Sequence, residues 1–158
     1  MDTLITAGRV LPRPSAPVDD GAVLVRDGVL VAAGPRADVV AQAAPDATRH
    51  NFPTGTALAG LFNAHVHLAF DASREMLAHF SAAADPVPDA RSRLSSMLRS
   101  GVTTVRDLGD RRYRTLSFRD ATAPGEPRVV AAGPPFTTAA GHCHFLGGAA
   151  EGRAAIEA

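Results

Sequence analysis

The sequence contains no lysine, no tryptophan, one tyrosine and one cysteine among its 158 residues. The absence of lysine excludes a lysine catalyst within this chain. The single cysteine, Cys143, excludes an internal disulfide and favours a cytoplasmic location. The first residues show no basic segment followed by an apolar one, so no secretory signal is predicted.

The chain also lacks net charge, because 16 arginines balance 16 acidic residues. It therefore has no overall field to attract a nucleic acid or an anionic lipid, and we expect no nucleic-acid partner. Residues 50–70 and 129–150 contain no Asp, Glu or Arg. Both runs contain proline, glycine and histidine, so neither predicts a membrane span. The composition, 46% hydrophobic and 20% charged, is typical of a globular domain.

The first sixty residues predict short strands joined by turns. Residues 4–11 are rich in apolar side chains, and residues 22–26 and 29–33 flank the dipeptide Asp27-Gly28. This dipeptide adopts the positive φ angles of a tight hairpin turn, which predicts two paired strands. Residues 12–17 contain three prolines and predict a loop.

From Gly60 onward the pattern changes to strands alternating with helices. Residues 60–68 carry no charge, which predicts a strand buried on both faces. Strands are also predicted at 102–105 and 128–132. Two sets of apolar residues show helical spacing: Met76, Leu77 and Phe80, and then Ala90, Leu94, Met97 and Leu98. Gly101 is placed to end the second helix. A short helix is also predicted at 113–121. This alternation predicts an α/β fold with a parallel sheet.

His65 and His67 form a candidate metal site. One residue separates them on a predicted strand, so both imidazoles project to the same face. Zinc and similar divalent cations accept neutral imidazole, and two such rings can share one ion. A pair with this spacing also occurs in proteins without any metal, and the rings would then need hydrogen-bond partners.

His142 and His144 form a second pair, around Cys143, in a glycine-rich loop. The loop follows the third predicted strand and is expected at the carboxyl end of the sheet, where ligands bind in α/β folds. The pair is interpreted first as a substrate contact, with a second metal site or simple loop packing as alternatives. Cys143 is a poor metal candidate, because three ligands within three residues are difficult to direct at one ion.

Asp107 has two possible interpretations, and a cluster of arginines has one. Asp107 ends a predicted strand, where its carboxylate either orients a metal-bound histidine or caps the turn before Gly109. Arg111, Arg112 and Arg114 are interpreted as a solvated face.

The opening β segment and three later segments, which follow one another along the chain, together resemble the amidohydrolase superfamily. The later segments are 59–68 with His65 and His67, 101–109 with Asp107, and 134–148 with His142 and His144. The closest branch is the imidazolonepropionase-like and prolidase-like group. The resemblance implies an α/β fold in which residues 1–58 form the N-terminal part of a small β-sandwich. Residues 59–158 would then form about the first three βα units of an incomplete (β/α)8 barrel.

The same resemblance implies a metal-dependent hydrolase that cleaves carbon–nitrogen bonds in a small-molecule amide, dipeptide or cyclic amide. His65 and His67 would bind a divalent metal, with zinc expected, and His142 and His144 would contact the substrate. The family also uses a lysine, two later histidines and an aspartate, which this chain does not supply. A complete barrel takes about 250 residues, so we expect an N-terminal fragment that is inactive alone. The alternative is a non-catalytic metal-binding or interaction module that needs a partner chain.

Overall fold

The computed structural model describes residues 1–70, 73–75, 87–119 and 123–157 of the chain. Its contacts divide into two compact units, Met1–Ala59 and Gly60–Ala158. Both helices and strands are present, and one unit contains a mixed sheet while the other contains a parallel one. Within the described residues, no helix is long and apolar enough to pass through a lipid bilayer.

The first unit is a four-stranded mixed sheet with one short helix. Its elements in chain order are β1 (Asp2–Leu11), β2 (Val18–Arg26), β3 (Val29–Pro35), α1 (Arg36–Val40) and β4 (Thr48–Leu58). The strands lie in the order β3-β2-β1-β4, with β1 antiparallel to β2 and parallel to β4. The predicted hairpin is confirmed, because Asp27 and Gly28 reverse the chain between β2 and β3 with φ angles of 52° and 79°. The predicted loop at 12–17 is also confirmed, between β1 and β2.

The core of this unit lies between the sheet and α1. Leu4, Ala22 and Leu24 are buried there against Val39 of the helix. At the rim of the core, the Arg26 guanidinium donates two hydrogen bonds of 2.8 Å to the Asp2 carboxylate. This ion pair lowers the pKa of Asp2 from its ordinary value and fixes the start of β1 against the end of β2.

The second unit is built on a three-stranded parallel sheet. Its elements in chain order are β5 (Leu61–Val66), α2 (Val87–Arg99), β6 (Val102–Asp107), α3 (Leu116–Arg119), β7 (Arg128–Ala131), a 3-10 turn (His144–Leu146) and α4 (Gly152–Glu157). The strand order is β5-β6-β7, and both pairings are parallel. The predicted succession of parallel strands joined through helices is therefore confirmed.

The helix predictions have three different outcomes. Helix α2 is confirmed, since Ala90 and Leu94 are buried and Gly101, with a φ of 88°, follows its end in the left-handed conformation. The helix predicted at 113–121 is shorter, running only from Leu116 to Arg119. The helix predicted from Met76, Leu77 and Phe80 lies outside the described residues.

The prediction that the first strand of this unit is buried on both faces is wrong. Leu61 is 48% exposed and Phe62 is 75% exposed. Among the residues that the structure describes, β5 pairs only with β6, so β5 is an edge strand rather than a central one. Its contribution to the core comes from its carboxyl end, where Val66 and then Leu68 are buried.

Candidate active site

The two histidines of the first pair meet at the carboxyl end of β5. His65 lies on β5, whereas His67 lies one residue beyond the end of the strand at Val66. The prediction that both lie on the strand is therefore correct only for His65. Their Nε2 atoms are 3.3 Å apart, and the ring centroids are separated by 5.2 Å. The structure thus brings both imidazoles to one point.

The orientation of His67 is set by a backbone carbonyl. Its Nδ1 lies 3.0 Å from the carbonyl oxygen of Gly109, which can only accept a hydrogen bond. Nδ1 therefore carries the proton of the neutral ring, and Nε2 has the lone pair, which faces His65. Metal-binding histidines in proteins are commonly held by such a contact on the second nitrogen.

The spacing of the two Nε2 atoms fits a divalent metal. Two imidazole nitrogens bound to one tetrahedral zinc at about 2.0–2.1 Å are separated by about 3.3–3.4 Å. The observed separation is 3.3 Å. Within the described part of the chain, no group of three or more His, Cys, Asp or Glu side chains is arranged to hold a metal ion, so His65 and His67 are a candidate pair without a third partner among the described residues.

Asp107 supports the position of His67 through hydrogen bonds to the backbone. Its fully buried carboxylate accepts hydrogen bonds from the backbone N–H of Leu68, at 2.8 Å, and of Gly109, at 2.9 Å. Burial raises the pKa of Asp107, and the two backbone hydrogen bonds oppose that shift. The turn-capping interpretation of Asp107 is confirmed, and the carboxylate binds the backbone of Leu68, which follows His67, and of Gly109, whose carbonyl contacts the His67 ring.

The loop after β7 carries the second histidine pair. The loop prediction is confirmed, and hydrogen bonds between Thr137 and the backbone of Gly148 and Ala150 close its two ends. His142 and His144 are exposed, and Nδ1 of His144 lies 3.0 Å from the Gly141 carbonyl oxygen. Their substrate contact stays a prediction.

Aromatic rings connect this loop to the first histidine pair. The ring of Phe70 lies 5.1 Å from that of His67 and 6.1 Å from that of Phe145, and Phe145 lies 6.0 Å from His144. Cys143 is half-buried and packs against the small cluster of Phe70 and its neighbours. The loop is therefore held beside His67 by apolar contacts.

Comparison with known proteins assigns the family of this site. Residues 56–157 match the family model described as "Amidohydrolase family". The chain belongs to the amidohydrolase family. Over 108 residues it is 32% identical to the imidazolonepropionase of Solibacter usitatus strain Ellin6076, and the match covers 68% of this chain and 25% of that protein.

Two solved structures show how much of the amidohydrolase fold is present. A Xaa-Pro dipeptidase with methionine bound in its active site superposes with a TM-score of 0.72 and 24% identity, covering 95% of this chain and 37% of that one. An adenosine deaminase from Xanthomonas campestris with bound zinc superposes with a TM-score of 0.59 and 25% identity, covering 84% and 42%. This amidohydrolase chain thus spans a quarter to about two fifths of these relatives.

Two parts of this candidate site were not predicted from the sequence. The contact from the carbonyl of Gly109 cannot be recognised from residue types, because it is a backbone group. The sequence did indicate a turn at this position, since Asp107 is followed closely by Gly109. Leu146 was also missed: a Cβ placed on Gly109 would lie 3.0 Å from the Leu146 side chain and 3.5 Å from the His67 ring. Gly109 therefore leaves the space in which the His67 ring and Leu146 approach each other.

We expect Asp107→Asn to lower the free energy of unfolding by about 1–3 kcal/mol, because an amide nitrogen would face a buried backbone N–H that then loses its acceptor. Urea denaturation of the purified chain measures the effect. The matched control is Asp89→Asn, since Asp89 is exposed in the first turn of α2. Identical unfolding curves for the two variants would contradict the support assigned to Asp107.

Proposed function

We propose that this chain carries part of the active site of a metal-dependent hydrolase that cleaves carbon–nitrogen bonds. The observation that supports this most directly is the 3.3 Å approach of the two Nε2 atoms of His65 and His67. With its Nδ1 bonded to the Gly109 carbonyl, His67 has its lone pair on Nε2, where a cation can bind. Zinc is the proposed metal, because two neutral imidazoles at this spacing suit tetrahedral coordination.

The proposed fold follows from the two sheets. The mixed sheet of the first unit is proposed as the N-terminal part of a β-sandwich, residues 1–58. The parallel sheet of the second is proposed as the first three strands of a (β/α)8 barrel, residues 59–158. Parallel strands joined by helices, with the histidines at their carboxyl ends, support the second assignment.

In this proposal each group of residues has one task. His65 and His67 bind the metal, and Asp107 with the backbone of Gly109 orients His67. The loop with His142 and His144 contacts a small-molecule substrate, which is an amide, a dipeptide or a cyclic amide. A bound divalent cation supplies Lewis-acid polarisation of the scissile carbonyl and lowers the pKa of water. In the overall reaction water adds across the C–N bond, giving a carboxylic acid and an amine.

We further propose that these 158 residues do not turn over substrate by themselves. Catalytic zinc sites use three protein ligands, whereas the described residues bring only His65 and His67 together. The chain also spans only 25% of the imidazolonepropionase that it resembles. Further ligands and the proton-transfer group would come from polypeptide outside these residues.

Titration of the metal-free chain with Zn²⁺ in a calorimeter tests the metal site. We expect one zinc per chain, and loss of that binding in His65→Ala/His67→Ala. The matched control is His142→Ala/His144→Ala, which removes two histidines with the same spacing and should leave zinc binding unchanged. Unchanged zinc binding in the first double variant would overturn the proposal.

Amide hydrolysis by the zinc-loaded chain tests the second part. N-acetyl amino acids and Xaa-Pro dipeptides are suitable substrates, with amine release as the readout. We expect no release above that of free zinc. Turnover that requires the metal and disappears in His65→Ala would show that the chain is active alone.

A further inference from the structure

Arg93 lies on the side of α2 that faces the sheet. Ala90, Leu94 and Met97 of this helix pack in the core of the second unit, at positions i, i+4 and i+7 of one stripe. Arg93 occupies the i+3 position of the same stripe, where an apolar residue would be expected, and it is half-buried. Charged residues are seldom turned towards a core unless a partner holds the charged end. The position therefore indicates a specific partner for this guanidinium.

The partner of Arg93 is a backbone carbonyl next to His67. The Nε and Nη2 atoms of Arg93 both donate hydrogen bonds to the carbonyl oxygen of Leu68, at 2.9 Å and 2.7 Å. Guanidinium N–H groups form a rigid planar fork, so two of them can be directed at one acceptor. The side chain therefore binds this carbonyl in a defined direction, from a helix that lies 25 residues further along the chain.

The segment that carries His67 depends on such side-chain partners. Strand β5 ends at Val66, so His67 and Leu68 lie beyond the part of the strand that pairs with β6. Leu68 is fully buried, and its backbone N–H and carbonyl must find partners within the protein. The N–H donates to the Asp107 carboxylate at 2.8 Å, and the carbonyl accepts from Arg93. Two charged side chains from different elements thus hold the backbone of one residue.

These contacts fix the turn from which the His67 ring projects. The carbonyl of His67 itself accepts a hydrogen bond of 3.1 Å from the N–H of Phe70, so the chain turns directly after the histidine. The imidazole then reaches the Gly109 carbonyl, at 3.0 Å from Nδ1. Without Arg93 the buried Leu68 carbonyl would lack its acceptor contacts, and a buried polar group without a partner favours rearrangement of the backbone. The place of the His67 ring therefore depends on Arg93.

We propose that Arg93 is a positioning residue of the metal site. By holding the Leu68 carbonyl, its guanidinium keeps the His67 ring where Nδ1 meets Gly109 and Nε2 can bind a cation. The inference rests on the proposed hydrolase function and adds to it a residue of α2 that acts through the backbone rather than as a ligand.

The zinc affinities of Arg93 variants test this role, measured by competition with a chromophoric chelator. Arg93→Met keeps an apolar stem of similar shape and removes the donors. We expect it to weaken zinc binding about tenfold, the lower end of the effect of losing an orienting partner. Arg93→Lys retains one charged donor without the planar fork, so it should recover most of the affinity and stay within about threefold of wild type.

Arg91→Met is the matched control on the same helix. Arg91 is also half-buried, but it donates to the Glu126 carboxylate and lies over the Phe118 ring. Its removal should destabilise the chain, because Glu126 loses its partner, and should leave zinc affinity unchanged. Equal losses of affinity in Arg91→Met and Arg93→Met, or no loss in Arg93→Met, would overturn the proposal. If Arg93→Met does not fold, Arg93→Gln, whose shorter side chain carries no guanidinium, is measured with the same expectation.

The tautomer of His67 in the metal-free chain is a readout that a loss of stability alone would not change. A long-range proton–nitrogen NMR spectrum in mildly alkaline buffer should place the proton on Nδ1 in wild type and in Arg91→Met. In Arg93→Met we expect both tautomers, because the ring is no longer held at the Gly109 carbonyl. A pure Nδ1 tautomer in Arg93→Met would contradict the proposal even if zinc binding were weaker.

The two readouts separate this proposal from the metal site. If wild type binds zinc and Arg93→Met matches it in affinity and tautomer, the metal site stands and Arg93 has no positioning role. If wild type binds no zinc, the proposed function fails, and the tautomer in the metal-free variants still decides whether Arg93 positions His67.

Discussion

Removal of His67 is expected to weaken zinc binding more than removal of His65, by about 100-fold against about tenfold. The two rings meet at the same 3.3 Å contact but are held differently. His67 is half-buried and bonded through Nδ1 to Gly109, whereas His65 is exposed and, among the described residues, its ring has only His67 as a hydrogen-bond partner. After His65→Ala an oriented imidazole remains, and an orienting partner of this kind is worth about 10-fold to 100-fold in metal affinity.

Competition with a chromophoric chelator measures the zinc affinities of the single variants. His50→Ala is the matched control, because His50 is an exposed histidine in the other unit and should change nothing. A long-range proton–nitrogen NMR spectrum of the metal-free chain supplies a second readout, in which Nδ1 of His67 should carry the proton. Equal losses from His65→Ala and His67→Ala would show that the Gly109 contact has no part in binding.

The residue types of the site could be predicted from the sequence, but the way in which they are held could not. Two histidines separated by one residue indicated a shared metal, and the structure brings both rings together. The contact that orients His67 comes from a backbone carbonyl 42 residues away. A carbonyl is present at every residue, so the sequence contains no signal for this partner until the fold places Gly109 beside the ring.

The strand predictions were limited in a similar way, because the pairing of strands from distant segments is not visible in the sequence. The apolar residues at 22–26 and 29–33 and the Asp27-Gly28 turn between them were sufficient for β2 and β3, because a hairpin is specified locally. Strand β4 was not singled out, since Pro53 and Gly55 interrupt its pattern and the β1–β4 register shifts between Ala7 and Arg9. Gly8 allows that irregularity, because a Cβ there would lie only 2.3 Å from the carbonyl oxygen of Pro53.

The misjudged burial of β5 has a related cause. A strand without charged residues indicates a buried environment only when other elements cover both of its faces. Leu61 and Phe62 satisfy the composition of a buried strand, yet both are exposed in the described structure. Composition therefore reports the environment for which a strand is suited, whereas burial depends on which elements pack against it. This distinction fits a sheet that in the proposed barrel gains further strands.

Phe118→Ala is expected to lower the free energy of unfolding of the second unit by about 3–5 kcal/mol, the usual cost of removing a buried aromatic ring. Phe118 is 1% exposed, belongs to the core that joins α2 to the sheet, and has the Arg91 guanidinium 5.0 Å from its ring centroid. Phe136→Ala makes the same chemical change at a side chain that is 82% exposed, and it should stay within about 0.5 kcal/mol of wild type. Urea denaturation compares the two variants.

Similar losses in both would mean that α3 is not packed on the sheet. A large loss in Phe118→Ala alone would show that this four-residue helix anchors the crossover from β6 to β7.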